Sequence, residues 1–247
     1  MTDDRTLVRV LDVDPELGYQ LDDENRAAAR RYAVAELRVL EPGPWLDAQR
    51  PPGTDGNLGL LVLDGLLAHE LQLGTGQCAE LLGEGDVLRP WDDDRGQSIP
   101  GWTTSWRVLE PTRLAVLDHR FAAVASRWPS LVEVILRRTV LRARSLAFHR
   151  AVTHLTRVDE RLLLTLWFLA ERWGRVGPDG VVLPLRLTHQ MLAGLVGAQR
   201  PSVTTALGEL TAAGRVERRD DGSWLLHGDP PEEPGRRRPA AEAAEAA

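Results

Sequence analysis

The sequence predicts an α+β chain in which short strands close a β jelly roll, one long helix follows, and a helix-turn-helix with a β wing completes the fold. Three observations carry this. Short apolar runs alternate with glycine-bearing turns between Leu58 and Leu117. A stretch after Pro129 keeps helical periodicity to about His154 without a breaker. Finally, "VGAQRPSVTTALGELTAAGRVERR", from Val196 to Arg219, joins a Gly turn, an apolar ladder and a Gly stop, with arginines after it. The implied organisation is a β domain over 1–128, a long helix over 129–155, a winged helix-turn-helix over 156–228 and a tail over 229–247.

The elements follow in order. Asn25–Ala35, rich in Ala and Arg, reads as a short helix, and Leu37–Leu40 opens the strands. After a Pro/Gly loop from Pro42 to Asn57, Leu58–Leu63 and Leu66–Leu73 read as strands joined by an Asp64-Gly65 hairpin. A Gly-Thr-Gly turn, the strand Gln77–Leu82 and a Gly83–Asp86 turn come next. Trp106–Leu109 and Arg113–Leu117 read as a further hairpin about Glu110-Pro111. This spacing of strands and turns suits a sandwich or jelly roll. His119–Trp128 is a short helix stopped by Pro129, and Ser130 caps the long one.

That helix carries two stripes. Val134, Leu141, Phe148 and Leu155 recur every seven residues, with Arg138, Ser145 and Val152 between them, an imperfect seam for a second copy of the chain. Leu136, Val140, Ala143 and Ala147 form the other stripe, expected to lie on the β domain. One amphipathic helix packed within a single chain is the alternative.

Thr156 and Asp159 read as a capping box. Leu162, Leu163, Leu166, Leu169, Ala170 and Trp173 line one face of the helix that follows, and Gly174 ends it. "GPDGVVLPLRL" gives a turn and a strand. Thr188 caps a helix to about Val196, Gly197-Ala198 turns the chain, and a second helix runs from Gln199 to about Ala213. Arg215–Arg218 and Ser223–Leu226 pair about Asp220-Asp221-Gly222. The tail Asp229–Ala247, rich in Pro, Glu, Arg and Ala, has little to bury and is expected to be disordered.

Composition narrows the function. The 247 residues carry a net charge of −6, yet nine arginines against eight acids leave Arg157–Gly228 at about +1. An acidic chain with one basic face still suits nucleic acid. No lysine occurs, so every basic contact uses the guanidinium fork. The single cysteine, Cys78, excludes an intrachain disulfide and a cysteine-rich cluster or zinc site. The acidic start Met-Thr-Asp-Asp-Arg resembles no signal peptide, and no apolar run approaches the length of a membrane span, so a cytoplasmic protein is expected. No nucleophile–base pair, phosphate loop or cluster of metal ligands is legible. No catalytic or metal residues are named, and no enzyme is expected.

The functional expectation rests on the second helix of the pair. Val203, Ala206, Leu207 and Leu210 are spaced to meet Leu192, Leu195 and Val196, and the other face begins with Gln199, Arg200, Pro201, Ser202 and Thr205. In a helix-turn-helix this end enters a major groove. Arg200 can fork onto guanine O6 and N7. Gln199 and Ser202 can donate to phosphates beside free N–H groups of the first turn. Pro201 fits a first turn, where its missing N–H costs nothing. Thr205 can offer a methyl to thymine. Thr188 and Gln190 are candidate phosphate contacts, and Arg215, Arg218 and Arg219 flank the wing.

"LTHQMLAGLVGAQRPSVTTALGELTAAGRVERRDDGSWLL" resembles the DNA-binding module of the Crp/Fnr transcription regulators, including the Gly-x-x-Arg from Gly197 to Arg200. The order of β roll, long helix and winged helix is similar too, over roughly residues 30–228. The resemblance implies a cyclic-nucleotide-binding-like β domain, a homodimer on a two-fold double-stranded DNA site, and RNA polymerase as a further partner. It places base reading on Arg200, Pro201 and Thr205. Where familiar members carry an acid and often an arginine, Pro201 and Thr205 stand here, so a different DNA site is expected.

The β domain departs further. In "GEGDVLRPWDDD" the Gly-Glu pair expected for ribose gives way to Arg89-Pro90-Trp91, and Asp92, Asp93 and Asp94 would repel a phosphate. Arg107 is a substitute phosphate arginine or, by preference, a strand surface charge. Haem would need axial ligands such as Cys78 and His69, but a lone Cys in an apolar strand reads as a small buried residue. His69-Glu70 is too little for a cupin-type metal site. Trp91, Trp102 and Trp106 read as core rather than as a ligand pocket. The effector is left unassigned. A cyclic-nucleotide-responsive regulator and a protein adaptor that has lost DNA contact are the rival readings.

Overall fold

The computed structural model describes residues 6–46, 57–92 and 101–231. Two compact units divide the chain, Met1–Leu146 and Ala147–Ala247, with the boundary inside the long helix. Asp93 and Asp94, most of the Pro42–Asn57 loop and most of the C-terminal tail lie outside the described residues.

In the first unit, strands β1 (Leu7–Arg9), β2 (Val34–Leu40), β3 (Gly43–Pro44), β4 (Gly59–Leu73), β5 (Gly76–Gly83), β6 (Val87–Leu88) and β7 (Trp102–Leu117) form one antiparallel sheet. Its main path runs β1-β2-β7-β4-β5, with β3 on β7 and β6 on β4. β1, helix α1 (Val10–Val13) and the extension of β2 back to Val34 go beyond the sequence reading. Helix α2 spans Asp23–Tyr32; the Asp22 carboxylate caps it by accepting from the Asn25 N–H at 2.8 Å.

The sheet is buried on both faces, which explains why "LLVL" at Leu60–Leu63 does not alternate. Leu61, Leu63, Ala115 and Leu117 pack with Val10, Leu17, Ala29 and Phe121 under the helices. Leu60, Val62, Leu67, Leu82, Leu88, Trp106, Val108, Leu114 and Val116 fill the inside of the roll. Removing one such leucine costs about 2–5 kcal/mol.

Neither hairpin expected at Asp64-Gly65 and Glu110-Pro111 exists. Each signal lies within one long strand, and the two irregularities face each other. The register steps from Asp64↔Arg113 to Leu66↔Glu110 to Leu67↔Val108. Gly65 has φ +96, and a Cβ there would collide with Thr112 Oγ1 and the Pro111 carbonyl oxygen. Glycine thus serves a close backbone approach in a bulge, and Pro111 sits where the ladder is already interrupted. The expected β4–β5 turn and the Gly83–Asp86 turn form as read, with the Gly83 N–H donating to Asp86 Oδ2 at 2.8 Å.

Asp118 caps α3 (His119–Ala125). The long helix α4 runs Pro129–Thr153. Pro129 is its first residue rather than a stop before it, so Ser130 does not cap it; proline's fixed φ suits that position.

Neither stripe of α4 lies where expected. Leu131, Val134 and Ile135 enter the core. On the same face Arg138 makes a two-pronged ion pair with Asp14, one arm at 2.9 Å, and Arg142 forks onto Glu80 at 2.8 and 2.8 Å. Leu136 and Val140 are 63% and 48% exposed, and Ala143 and Ala147 are exposed with them. The supposed second-copy seam is split, with Val134 buried and Leu141 exposed.

The second unit holds α5 (Val158–Trp173), the hairpin β8 (Arg175–Gly177) and β9 (Gly180–Leu183), α6 (His189–Val196), α7 (Arg200–Ala212), and the wing β10 (Val216–Arg218) with β11 (Trp224–Leu226). Its sheet runs β10-β11-β9-β8. The Thr156 capping box does not form. Arg157 occupies the cap position of α5, and its guanidinium holds Asp159 at 3.0 and 2.5 Å. Gly174 ends α5 with extended rather than left-handed backbone; its use is contact, since a Cβ would collide with the Ala170 carbonyl oxygen.

Candidate nucleic-acid interface

The helix pair is built from a three-helix core. Leu162, Leu166 and Leu169 of α5 are buried, as are Leu192, Leu195 and Val196 of α6 and Val203, Ala206, Leu207 and Leu210 of α7. Thr188 caps α6 as expected, its hydroxyl accepting from the Met191 N–H at 3.2 Å. Because that oxygen acts as acceptor, its proton stays available for a phosphate. Gly197 turns the chain in the left-handed region, φ 61 and ψ 44. A Cβ there would also stand 2.9 Å from Thr153 Cγ2.

Arg161 of α5, which sequence reasoning passed over, braces this turn. Its Nε donates to the Leu155 carbonyl at 2.7 Å, and one terminal nitrogen reaches the carbonyls of Val196 and Gly197 at 3.4 and 3.3 Å. The C-terminal end of α6 is thereby satisfied by a side chain.

The start of α7 is open. Gln199 is its cap residue without a side-chain bond, Pro201 lies in the first turn, and the first intrahelical bond runs from the Val203 N–H to the Gln199 carbonyl at 3.1 Å. Gln199, Arg200, Pro201, Ser202, Thr204 and Thr205 lie on its accessible side, all of them exposed. The Arg200 guanidinium has no carboxylate partner among the described residues. Thr205 donates its hydroxyl to the Pro201 carbonyl at 3.3 Å, which favours its methyl for outside contact.

The wing and the two helices meet at His189, a second residue that sequence reasoning missed. Its Nδ1 lies 2.9 Å from Thr204 Oγ1. Burial first, and then the charges of Arg218 and Arg200, hold the imidazole below its ordinary range. Arg218 itself lies 5.6 Å over the Trp224 ring. Arg200, Arg218 and His189 therefore form one basic neighbourhood, with Thr188 and Gln190 beside it at the start of α6. The available hint was position alone, since His189 stands between two residues already named.

Two further arginines near the wing make contacts within the protein. Arg215 donates to the Asp229 carbonyl at 3.0 Å. Arg186 packs on Gly222. At the tip Asp221 Oδ1 accepts from the Ser223 N–H and hydroxyl at 2.9 and 2.6 Å, which keeps that carboxyl below its usual range.

In the first unit Trp106 is core, stacked on His69 at 4.3 Å and edge-on to Trp45 at 5.9 Å. Trp91 and Trp102 are half-buried. Cys78, expected inside, is exposed: it lies on the outer part of the β4–β5 hairpin, paired with Leu71 beyond the filled roll. Arg89 pairs with Asp92 at 2.6 Å and donates to the Asn57 carbonyl at 2.5 Å. Arg107 lies 3.9 Å from Glu70, as a strand surface charge would. No described helix is long and apolar enough to cross a membrane.

Comparison with known proteins finds relatives of the C-terminal module and of the fold. Residues 160–229 match the family of Crp-like helix-turn-helix domains. Regulatory protein CysR of Synechococcus elongatus is 41% identical over 73 residues, 28% of this chain, and the match spans 35% of that protein's length. A cyclic nucleotide-binding domain containing protein from Listeria monocytogenes superposes with a TM-score of 0.63 at 17% identity, covering 87% of this chain and 97% of that one. A CRP-family transcriptional regulator from Thermus thermophilus does so with 0.54 at 14%, covering 77% and 92%.

Proposed function

We propose that this chain, whose C-terminal module belongs to the Crp-like helix-turn-helix family and whose fold is that of the CRP-type regulators, is a sequence-specific DNA-binding transcription regulator of the cytoplasm. The carrying observation is the exposed first turn of α7. Arg200 stands there without a carboxylate partner among the described residues, on a turn fixed by Gly197 and Arg161 and beside a second basic group on the wing. Arg200 reads a guanine, Thr205 packs its methyl on a thymine, and Gln199, Ser202, Thr188, Gln190 and Arg218 hold phosphates. Pro201 offers no acceptor to a cytosine N4, which narrows direct readout.

The protein acts as a homodimer, each copy presenting α7 to one half-site about one helical turn from the other. The face that pairs is the exposed stripe Leu136, Val140, Ala143 and Ala147. Its four-three-four spacing is that of a coiled-coil seam. RNA polymerase is the further partner that such a regulator requires.

Cyclic nucleotides are not its effector. Arg89, which stands where the ribose pair is expected, is engaged by Asp92 and the Asn57 carbonyl, Arg107 lies beside Glu70, and leucines with Trp106 fill the roll. Calorimetric titration with cyclic AMP and cyclic GMP checks this, and micromolar binding of either overturns it. The DNA reading is tested by gel-shift selection from random duplexes at moderate salt. Enrichment of a two-fold motif supports it; no enrichment returns the protein to the adaptor reading.

A further inference from the structure

We propose that His189 is a proton-linked phosphate contact, which takes up a proton on Nε2 when the protein binds a nucleic-acid backbone. This rests on the DNA-binding reading and adds a residue and a pH dependence to it. The Thr204 hydroxyl has one proton, and it donates that proton to the Arg200 carbonyl at 3.1 Å. The 2.9 Å contact between Thr204 Oγ1 and His189 Nδ1 must then run from the imidazole N–H to the hydroxyl oxygen. The tautomer is thereby fixed. In the neutral ring Nε2 carries a lone pair, which cannot donate to a phosphate. Protonation turns the same nitrogen into a charged donor while the Thr204 bond still aims the ring.

The charged groups that act on His189 are both arginines, Arg200 from α7 and Arg218 from β10. Together with burial they keep the free protein's imidazole uncharged at neutral pH. Phosphates that engage those arginines remove this opposition and supply negative potential, so binding raises the affinity of His189 for a proton. The sign follows: affinity for DNA is greatest below the free imidazole's range and is lost as pH rises through that of the complex. One proton sets the limit at about tenfold per pH unit.

The test is an anisotropy titration of full-length protein with the selected duplex between about pH 6 and about pH 8, with His189→Asn alongside. Asn keeps an N–H for Thr204 but has no nitrogen to protonate. The dissociation constant of the wild type is expected to fall by about tenfold toward the acid end. Its slope of log affinity against log salt should steepen there by about 0.9, one added phosphate contact. His189→Asn should show neither change, with circular dichroism confirming that it folds at both ends. A pH dependence that persists in His189→Asn, or a wild type whose affinity is flat with pH, overturns the assignment of His189 and leaves DNA binding standing. Absence of binding at every pH overturns both.

Discussion

In the proposed reading Arg200 serves recognition, and Gly197, three positions before it, serves geometry. Arg200→Ala is expected to cost about 1–3 kcal/mol of binding and to relax a single base position. Repeating the duplex selection with the variant checks this, and equal loss on every sequence would assign Arg200 to phosphate alone. Gly197→Ala acts on the fold instead. It places a side chain in the left-handed region, which costs about 1–2 kcal/mol, and presses a Cβ toward Thr153. Urea unfolding should show the loss, and binding should weaken because the Arg161 clasp is disturbed. Gly197 is legible in the sequence because it answers a local demand for a positive φ, and the exposed place of Arg200 at the start of α7 follows from the spacing of the apolar ladder. Arg161 and His189 are not legible, because their partners lie 35 and 15 residues away, Val196 and Thr204, and no local pattern announces them.

At the scale of elements, the helix-turn-helix is readable almost to the residue, since caps, turn glycines and apolar ladder agree. Thr188, Gly197 and Gly214 stand where the chain changes direction. The β roll is harder. Asp64-Gly65 and Glu110-Pro111 carry the chemistry of tight turns, yet each serves a bulge in a strand that continues. Only pairing across the sheet separates the two uses, because a bulge and a turn make the same local demand on φ and on the missing N–H. The grip of α4 on the roll depends on another non-local feature, the Arg142–Glu80 fork. Glu80 is 6% exposed. Arg142→Ala strands that carboxylate and is expected to cost about 3 kcal/mol, read as a lowered urea midpoint, while Glu80→Gln with Arg142→Met should recover part of the loss.

Across the whole molecule, helical periodicity gives α4 two faces but not their destinations. Arg138 interrupts the apolar pattern of the inward face, so that Val134 beside it reads as part of a seam for a second copy, and the clean stripe of Leu136, Val140, Ala143 and Ala147 reads as the core side in its place. Val140→Glu is therefore expected to leave the roll folded while sedimentation shifts toward a single chain and binding of the two-fold duplex falls. Pairing through the exposed stripe, as proposed, carries a further thermodynamic consequence. A surface that is dry only when two chains meet makes stability a function of abundance, because mass action favours the folded pair as protein accumulates. The melting temperature of the wild type should climb with protein concentration, and that of Val140→Glu should not. In the proposed dimer, protein made in small numbers would be both less stable and more weakly bound to its site, so that the length of α4 carrying this stripe sets a threshold of synthesis below which the target is left alone.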